Sequence, residues 1–129
     1  MKTKFSKTWN KSVQPRKQRK YRANAPLHLK CKFLNSHLSQ ELIKKYGKRS
    51  LRVRVGDKVK VSRGKHKGRE EKVERINVKR IKVYIAKVEF TKKDGSKTTA
   101  PINPSNLIIT ELNTEDKKRM QKLELKQEK

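Results

Sequence analysis

The sequence contains little cysteine and no long apolar segment. Cys31 is the only cysteine among 129 residues, so no disulfide can form within the chain, and a reducing, intracellular setting is the default expectation. No purely apolar run approaches the roughly 20 residues that a membrane-spanning helix needs, so we predict no membrane span. The first forty residues lack acids, as transit peptides do, but they are Lys-rich and contain Pro15 and Pro26. We interpret them as mature sequence.

Residues that could form a metal or catalytic centre are also sparse. The spacing of His28, Cys31 and His37 is similar to part of a zinc site, but closed structural sites need four ligands. The remaining candidate for the fourth ligand is His66, which lies in a different predicted element. Residues 64–68 lack the spacing and the Gly-Lys-Ser/Thr ending of a nucleotide-binding P-loop. No Ser, His and Asp arrangement can be singled out. We predict that the protein is not an enzyme, has no cofactor or metal and takes no small-molecule substrate.

Acidic residues are few, and basic residues dominate. The chain has 38 Lys and Arg against 12 Asp and Glu, a formal net charge of +26, while 31% of its residues are hydrophobic. Residues 1–50 contain a single acid, Glu41. Such a chain repels itself when alone, and each cation that meets a phosphate releases counterions. The composition therefore favours a polyanionic partner such as a nucleic acid.

Charge and apolar spacing divide the chain into four segments. The first segment carries Lys2, Lys4, Lys7, Lys11 and the cluster 16–22, with almost nothing apolar to bury. By itself it should be extended or disordered, and it should become ordered only on binding. The segments are a basic arm (1–24), a short helical segment (25–50), a barrel (51–111) and a charged tail (112–129).

Two short helices are predicted between the arm and the barrel. The first, over about residues 26–34, begins at a proline suited to a first helical turn and would bury Cys31 beside Leu27 and Leu34. The second is capped by Ser39 and ends at Gly47. They would form a small helical element that precedes the barrel.

From Leu51 the apolar residues alternate with basic ones, a period of two that is typical of half-buried strands. Ile76 breaks the alternation and indicates a bulge, and residues 93–96 are a hairpin signal. Five or six short strands within about 60 residues, without a crossover helix, predict a mainly β fold, a small antiparallel barrel. A domain of this size is marginal alone, so bound RNA would help to hold it. The stretches with strand-like spacing, which need not each be a separate strand, lie around residues 51–55, 58–62, 73–76, 81–85, 88–90, 97–100 and 107–110.

A short helix is predicted in the C-terminal tail. Thr114 can cap it, and the two acids that follow fall in the first turn, where the helix dipole favours negative charge. Met120, Leu123 and Leu125 are its few apolar contacts.

Residues 55–68, Val-Gly-Asp-Lys-Val-Lys-Val-Ser-Arg-Gly-Lys-His-Lys-Gly, resemble a KOW motif, the strand, loop and strand of ribosomal and transcription-elongation proteins. With its flanks, the chain over about residues 12–112 resembles the archaeal and eukaryotic form of the large-subunit ribosomal protein family called L twenty-four in bacteria and L twenty-six in eukaryotes. One departure is Glu71, where the family's motif often has a second glycine. The flanking motifs are Gln14-Pro15-Arg16-Lys17-Gln18-Arg19-Lys20, Asn24-Ala25-Pro26-Leu27-His28, Leu38-Ser39 with Glu41-Leu42, Lys45-Tyr46-Gly47 with Arg49-Ser50, and Ile102-Asn103-Pro104-Ser105-Asn106 with Ile109-Thr110.

The resemblance implies an SH3-like barrel, contacts to the first domain of the large-subunit rRNA, an early role in assembly and a position near the mouth of the polypeptide exit tunnel. The implied partners are large-subunit rRNA and neighbouring large-subunit ribosomal proteins. The protein is expected to be a monomer within the cytoplasmic ribosome.

Candidate RNA contacts lie mainly in the arm and in the loop 63–69. In the loop, glycines alternate with cations, so the backbone can approach a phosphate closely; the alternative is a solvated hairpin loop. Gly68 corresponds to the defining glycine of the KOW motif. In the arm, Tyr21 and Trp9 could stack on unpaired bases; the alternative is a flexible polybasic tail or a localisation signal. The candidate RNA-binding residues are Arg16, Lys17, Gln18, Arg19, Lys20, Tyr21, Arg22, His28, Lys32, Lys48, Arg49, Arg52, Arg63, Gly64, Lys65, His66, Lys67, Gly68, Arg69, Lys79 and Arg80.

Some cations leave an alternative to RNA contact open, and so does the function class as a whole. On the helix faces opposite the apolar residues, six cations would either bridge phosphates or only solvate the helices: Lys30, Lys32, Lys44, Lys45, Lys48 and Arg49. The same two interpretations stay open for the cations near the predicted edges of the barrel, Arg52, Arg54, Lys79 and Arg80. One competing function is a KOW module that acts with RNA polymerase, although such chains usually carry an additional recognition domain. Another is a nonspecific nucleoid or chromatin protein, which would bind duplex DNA and rRNA equally.

Overall fold

The computed structural model describes residues 5–124, which form one seven-stranded mixed sheet with short helices. Within this range no helix is both long and apolar enough to cross a membrane. The strands are β1 (Asn35–Leu38), β2 (Ser50–Arg52), β3 (Lys58–Val61), β4 (Glu70–Asn77), β5 (Lys82–Thr91), β6 (Lys97–Ile102) and β7 (Leu107–Glu111). The α-helices are α1 (Pro15–Asn24), α2 (Leu27–Lys30), α3 (Gln40–Tyr46) and α4 (Lys117–Glu124), and short 3-10 helices span Lys7–Lys11, Cys31–Leu34 and Pro104–Asn106.

The sheet runs in the order β2-β1-β7-β3-β4-β5-β6, and every pairing from β7 to β6 is antiparallel. Alternate residues point inward, as the period of two predicts, and the inward side chains of β3 to β5 named below are at most 2% exposed. This arrangement confirms the mainly β, barrel-like fold. The inward residues of β3 to β5 are Val59, Val61, Val73, Val83, Ile85 and Val88.

Strand β1 was not predicted, and it makes the sheet mixed rather than purely antiparallel. It pairs antiparallel with β2 and parallel with β7, where His37 lies opposite Ile108. Its inward polar residue, Ser36, is 2% exposed and donates from Oγ to the Pro104 carbonyl at 2.6 Å. Four residues with a buried serine carry too little period-two signal to indicate a strand. The first predicted barrel strand is also shorter than expected, because it ends at Arg52 and Val55 is 53% exposed.

The bulge predicted near Ile76 is present, with a register shift between Val73 and Arg75. The strand signals at 81–85 and 88–90 belong to one strand, β5. It continues through a second irregularity at Lys87, whose φ is 57°. This positive φ puts Val88 back on the buried side, where it is fully enclosed.

The arm is folded, so the prediction that it is extended or disordered by itself is wrong where the structure describes it; Lys2 and Lys4 lie outside that part. Pro15 begins α1, and the Gln18 side-chain amide ties the helix to the preceding turn, because its Nε2 lies 2.7–3.2 Å from the carbonyl oxygens of Trp9, Asn10 and Ser12 and can donate to them. Its composition of Lys, Arg, Gln and Ala also suits a helix. These local hydrogen bonds stabilise α1, which has no apolar face to bury.

The two helices predicted between arm and barrel are confirmed. Ser39 accepts a hydrogen bond from the Leu42 N–H at 3.4 Å, and Gly47 ends α3 with a φ of 61°. The packing predicted for the first helix is wrong in part. Leu34 is fully buried as predicted, but Leu27 is 62% exposed and Cys31 only half-buried, because a single α-turn runs into a 3-10 turn and the three side chains do not share one face.

The tail carries the predicted helix, which begins at Lys117, later than a cap at Thr114 implies. Asp116 takes the capping role, since its Oδ1 accepts from the Arg119 N–H at 3.1 Å. Leu123 is fully buried; Leu125 lies outside the described residues.

Candidate nucleic-acid interface

The loop between β3 and β4 presents cations around two left-handed glycines. Gly64 and Gly68 have φ of 93° and 89°, and a Cβ added at either would meet no atom within 4 Å. The glycines are therefore needed for the turn itself, and the space beside them is open to a partner. Gly68 donates its N–H to the Val61 carbonyl at 2.8 Å, which closes the loop onto β3. The exposed members of the loop are Arg63, Gly64, Lys65, Lys67, Gly68 and Arg69, while His66 is half-buried.

Arg69 differs from the other loop cations because its guanidinium is engaged within the protein. Its Nη1 donates to the Lys87 carbonyl at 3.0 Å, across the irregular part of β5. The same part of β5 supplies the Lys87 ammonium, which forms an exposed ion pair with Glu71 at 2.9 Å. Glu71 thus sits in strand β4 as an ion-pair partner at the position where the KOW motif often has a glycine.

A second concentration of charge lines a cleft between α1 and the turn that joins β4 to β5. Four of its cations were proposed individually from the sequence, and the structure brings them together although α1 and the turn are far apart in the chain. The cleft has a volume of about 410 Å³ and includes apolar surface from Phe33, Ile81 and Pro104. Its cations are Arg19, Arg22, Lys79, Arg80 and Lys82.

Lys30 joins the two sides of this cleft through hydrogen bonds. Its side chain is buried, and Nζ donates to the carbonyl of Ala23 in the last turn of α1 at 2.9 Å and to that of Lys79 at 3.3 Å. A cation at this end of α1 also complements the helix dipole. Lys30 is therefore a link between helix and turn, and its assignment to a solvated or phosphate-bridging face is wrong.

The aromatic side chains of the arm contact one another. The Tyr21 ring stacks on Phe5 with centroids 5.4 Å apart and meets the edge of Phe33 at 5.8 Å. The Arg22 guanidinium lies 5.6 Å from the centre of the Phe33 ring. Tyr21 and Gln18, both proposed as RNA contacts, thus already have partners within the protein, and Trp9 is half-buried. Arg16, Lys17 and Lys20 are exposed on the rest of α1.

The remaining candidates lie elsewhere on the surface. Lys48 and Arg52 line a groove that also includes Lys118 and Arg119 of α4, so they form a separate basic region. His28, Lys32 and Arg49 are exposed and line neither the cleft nor this groove.

The charges near β3 are partly neutralised by carboxylates. Lys58 Nζ donates to Glu111 at 2.9 Å, and this hydrogen bond, with the attraction of nearby carboxylates, raises the pKa of Lys58 above its usual 10.5. Glu70 and Glu71 add to the same field. This part of the barrel is less suited to a phosphate than the loop or the cleft.

Sequence reasoning missed two functional features. Lys82 lines the cleft and donates to Asn103 Oδ1 at 2.6 Å; its position two residues after Arg80, alternating with the inward residue Val83, was a usable signal. The buried pair of Asp57 and Arg119, 2.6 Å apart, had no local signal, since its members are 62 residues apart. No three His, Cys, Asp or Glu side chains converge as metal ligands within residues 5–124.

Comparison with known protein sequences places the chain in a family. A profile of the ribosomal proteins called L26 in eukaryotes and L twenty-four in archaea matches residues 12–126. The chain belongs to this family.

Several archaeal relatives called "Large ribosomal subunit protein uL24" match most of the chain. The relative from Methanocella arvoryzae is 53% identical over 115 residues, which cover 89% of this chain and 93% of the relative. The relative from Methanocorpusculum labreanum is 50% identical over 115 residues, covering 89% and 95%. The relative from Methanosarcina barkeri is 48% identical over 108 residues, covering 84% and 93%. These matches confirm the family that the KOW motif and its flanks indicated.

Membership of this ribosomal protein family agrees with the prediction that the chain is a structural protein and not an enzyme. The family match begins at residue 12, so it includes α1 and both walls of the cleft but not Phe5 or Trp9. It also extends beyond Leu112, where the resemblance seen in the sequence ended, and includes all of α4. The tail helix is thus part of the family's shared sequence.

Proposed function

We propose that this protein is a structural component of the large ribosomal subunit in the cytoplasm and binds large-subunit rRNA through its arm, its β3–β4 loop and the cleft beside α1. The observation that carries the proposal is the convergence of cations from separate parts of the chain on a folded scaffold, in a family of ribosomal proteins. Phosphate contacts of this kind fix the position of a protein on RNA without reading bases.

The finer parts of the proposal concern where and when the protein binds. We propose contacts to the first domain of the rRNA, an early place in assembly, a position near the mouth of the exit tunnel, and neighbouring large-subunit proteins as further partners. The family resemblance supports these points. A pre-folded barrel and arm suit early binding, because the protein can bind before neighbouring proteins supply contacts. Within the subunit it would act as a monomer.

Sedimentation tests the main statement. In lysates separated on sucrose gradients at moderate salt, the protein should move with large subunits, and recovery only in light fractions would contradict the proposal. Purified protein should prefer large-subunit rRNA fragments to duplex DNA at matched salt, whereas equal affinity would favour a nonspecific nucleic-acid-binding protein. Crosslinking in intact cells followed by sequencing of the attached RNA would locate the contacted domain.

A further inference from the structure

We propose that the cleft between α1 and the β4–β5 turn holds one unpaired nucleotide of RNA, with its base against the apolar wall and its phosphates between the cations of the two sides. This inference rests on the proposed function and specifies what one part of that surface binds. The two sides are α1, which contributes Arg19 and Arg22, and the turn, which contributes Arg80.

The size of the cleft favours a single nucleotide over a helix. About 410 Å³ lies within the range of small-ligand sites, roughly 300–1,000 Å³, whereas an RNA duplex is far too wide to enter. An unstacked nucleotide from a loop or bulge can enter, and such nucleotides are the usual targets of RNA-binding proteins. The cleft therefore fits a base that has been turned out of its stack.

The lining matches the two halves of a nucleotide. Phe33, Ile81 and Pro104 offer apolar surface to a base, and the guanidinium of Arg22 lies beside the Phe33 ring, where it can extend that surface as a flat cation. Arg19 and Arg80 are exposed at the sides, where they can meet the flanking phosphates.

The cleft is already assembled in the unbound protein. Lys30 joins the end of α1 to the turn, and the Arg80 N–H donates to Asn77 Oδ1 at 3.0 Å. Ile81 follows with a φ of 55°, and its N–H donates to the Val78 carbonyl at 3.3 Å. Both walls are thus set by bonds within the protein, so binding requires little further ordering.

The test uses the full chain and in vitro transcribed large-subunit rRNA. The double variant Arg19→Ala/Arg80→Ala removes one cation from each side of the cleft. Its matched control, Lys92→Ala/Lys117→Ala, also removes one exposed cation from a loop and one from a helix, but neither residue lines the cleft or belongs to the candidate RNA contacts. We expect roughly tenfold weaker binding for the cleft variant and a change of about twofold or less for the control.

A third variant separates the base from the phosphates. Ala23→Leu fills part of the cleft without changing charge, and it leaves the Ala23 carbonyl free to accept from Lys30. It should weaken rRNA binding several-fold with an unchanged salt slope, whereas Arg19→Ala/Arg80→Ala should reduce the slope by roughly 1.5. Thermal unfolding of each variant checks that the fold is retained.

The possible results distinguish the assignment of a nucleotide to the cleft from the proposed function of rRNA binding. If wild-type protein binds rRNA but the cleft variants behave like the control, the cleft holds no nucleotide and the inference is overturned. If Ala23→Leu binds like wild type while the double variant is weak, the cations act only as surface charge, and the nucleotide assignment is also overturned. If wild-type protein itself fails to bind, the proposed function is contradicted first.

Discussion

The buried ion pair between Asp57 and Arg119 predicts a large and specific loss of stability on mutation. Asp57 is fully buried and Arg119 is 6% exposed. The guanidinium donates to the two carboxylate oxygens at 2.6 and 2.8 Å and also to the Arg52 carbonyl at 3.0 Å. Asp57 accepts two further bonds, from the N–H groups of Arg54 and Asn113, at 2.8 and 2.9 Å. One pair thus joins the tail helix to the barrel.

Arg119→Ala leaves this carboxylate buried without its counter-charge. Removing one member of a buried pair costs about 3–5 kcal/mol, a large part of the roughly 5–15 kcal/mol that holds a typical domain. Urea unfolding followed by circular dichroism should show this loss. Lys118→Ala, the exposed neighbour on the same helix, is the control and should change the free energy of unfolding by about 0.5 kcal/mol or less.

Two further measurements test whether the loss of stability in Arg119→Ala comes from the buried ion pair. A double-mutant cycle with Asp57→Asn should give a coupling energy of at least about 1 kcal/mol, because the two side chains act as a unit. The loss in Arg119→Ala should persist at high salt, since buried pairs are poorly screened. A loss below about 1 kcal/mol, or a loss that salt abolishes, would refute this reasoning and mean that the tail only rests on the surface.

Three other predictions concern the arm, the loop and the exposed pair on β3. Lys30→Met removes two hydrogen bonds from a buried link, so it should lower the free energy of unfolding by about 1–3 kcal/mol. It should also speed amide exchange in α1 more than in the barrel, and an equal increase in both would contradict the proposed link. Gly68→Ala places a Cβ at a φ of 89° and should cost about 1 kcal/mol or more in urea unfolding, although the space is empty; an unchanged midpoint would show that the loop adapts. The raised pKa of Lys58 means that its contribution to stability is present below pH 10.5 and is lost as the pH rises through the higher folded-state value; Glu111→Gln should reduce this dependence, and an identical alkaline profile in the variant would argue against the pair.

The barrel was predictable because its signal is local. Inward and outward residues alternate along β3, β4 and β5, so each strand reveals itself within a few residues. The capped helix α3 was predictable for the same reason, since Ser39 and Gly47 define its ends. Strand β1 was not, because the group that satisfies its buried Ser36 is the Pro104 carbonyl, 68 residues away.

The candidate interface was predictable as a list of residues but not as a surface. Composition pointed to the cations of α1 and of the β4–β5 turn, yet only tertiary structure shows that they share one cleft. The arm was mispredicted because composition counts apolar residues, whereas the helix is held by the Gln18 amide, the ring of Tyr21 and the ammonium of Lys30. A side chain that bonds within the protein looks the same in sequence as one that is free.

The pair of Asp57 and Arg119 also constrains the order of events while the chain is being synthesised. Asp57 is made 62 residues before its partner, so a nascent barrel holds a carboxylate without its cation until the tail helix has emerged. Burying that carboxylate alone is costly, so the nascent barrel should stay loosely closed at this corner until the guanidinium arrives. Synthesis of α4 would then be required before the barrel closes fully at this corner.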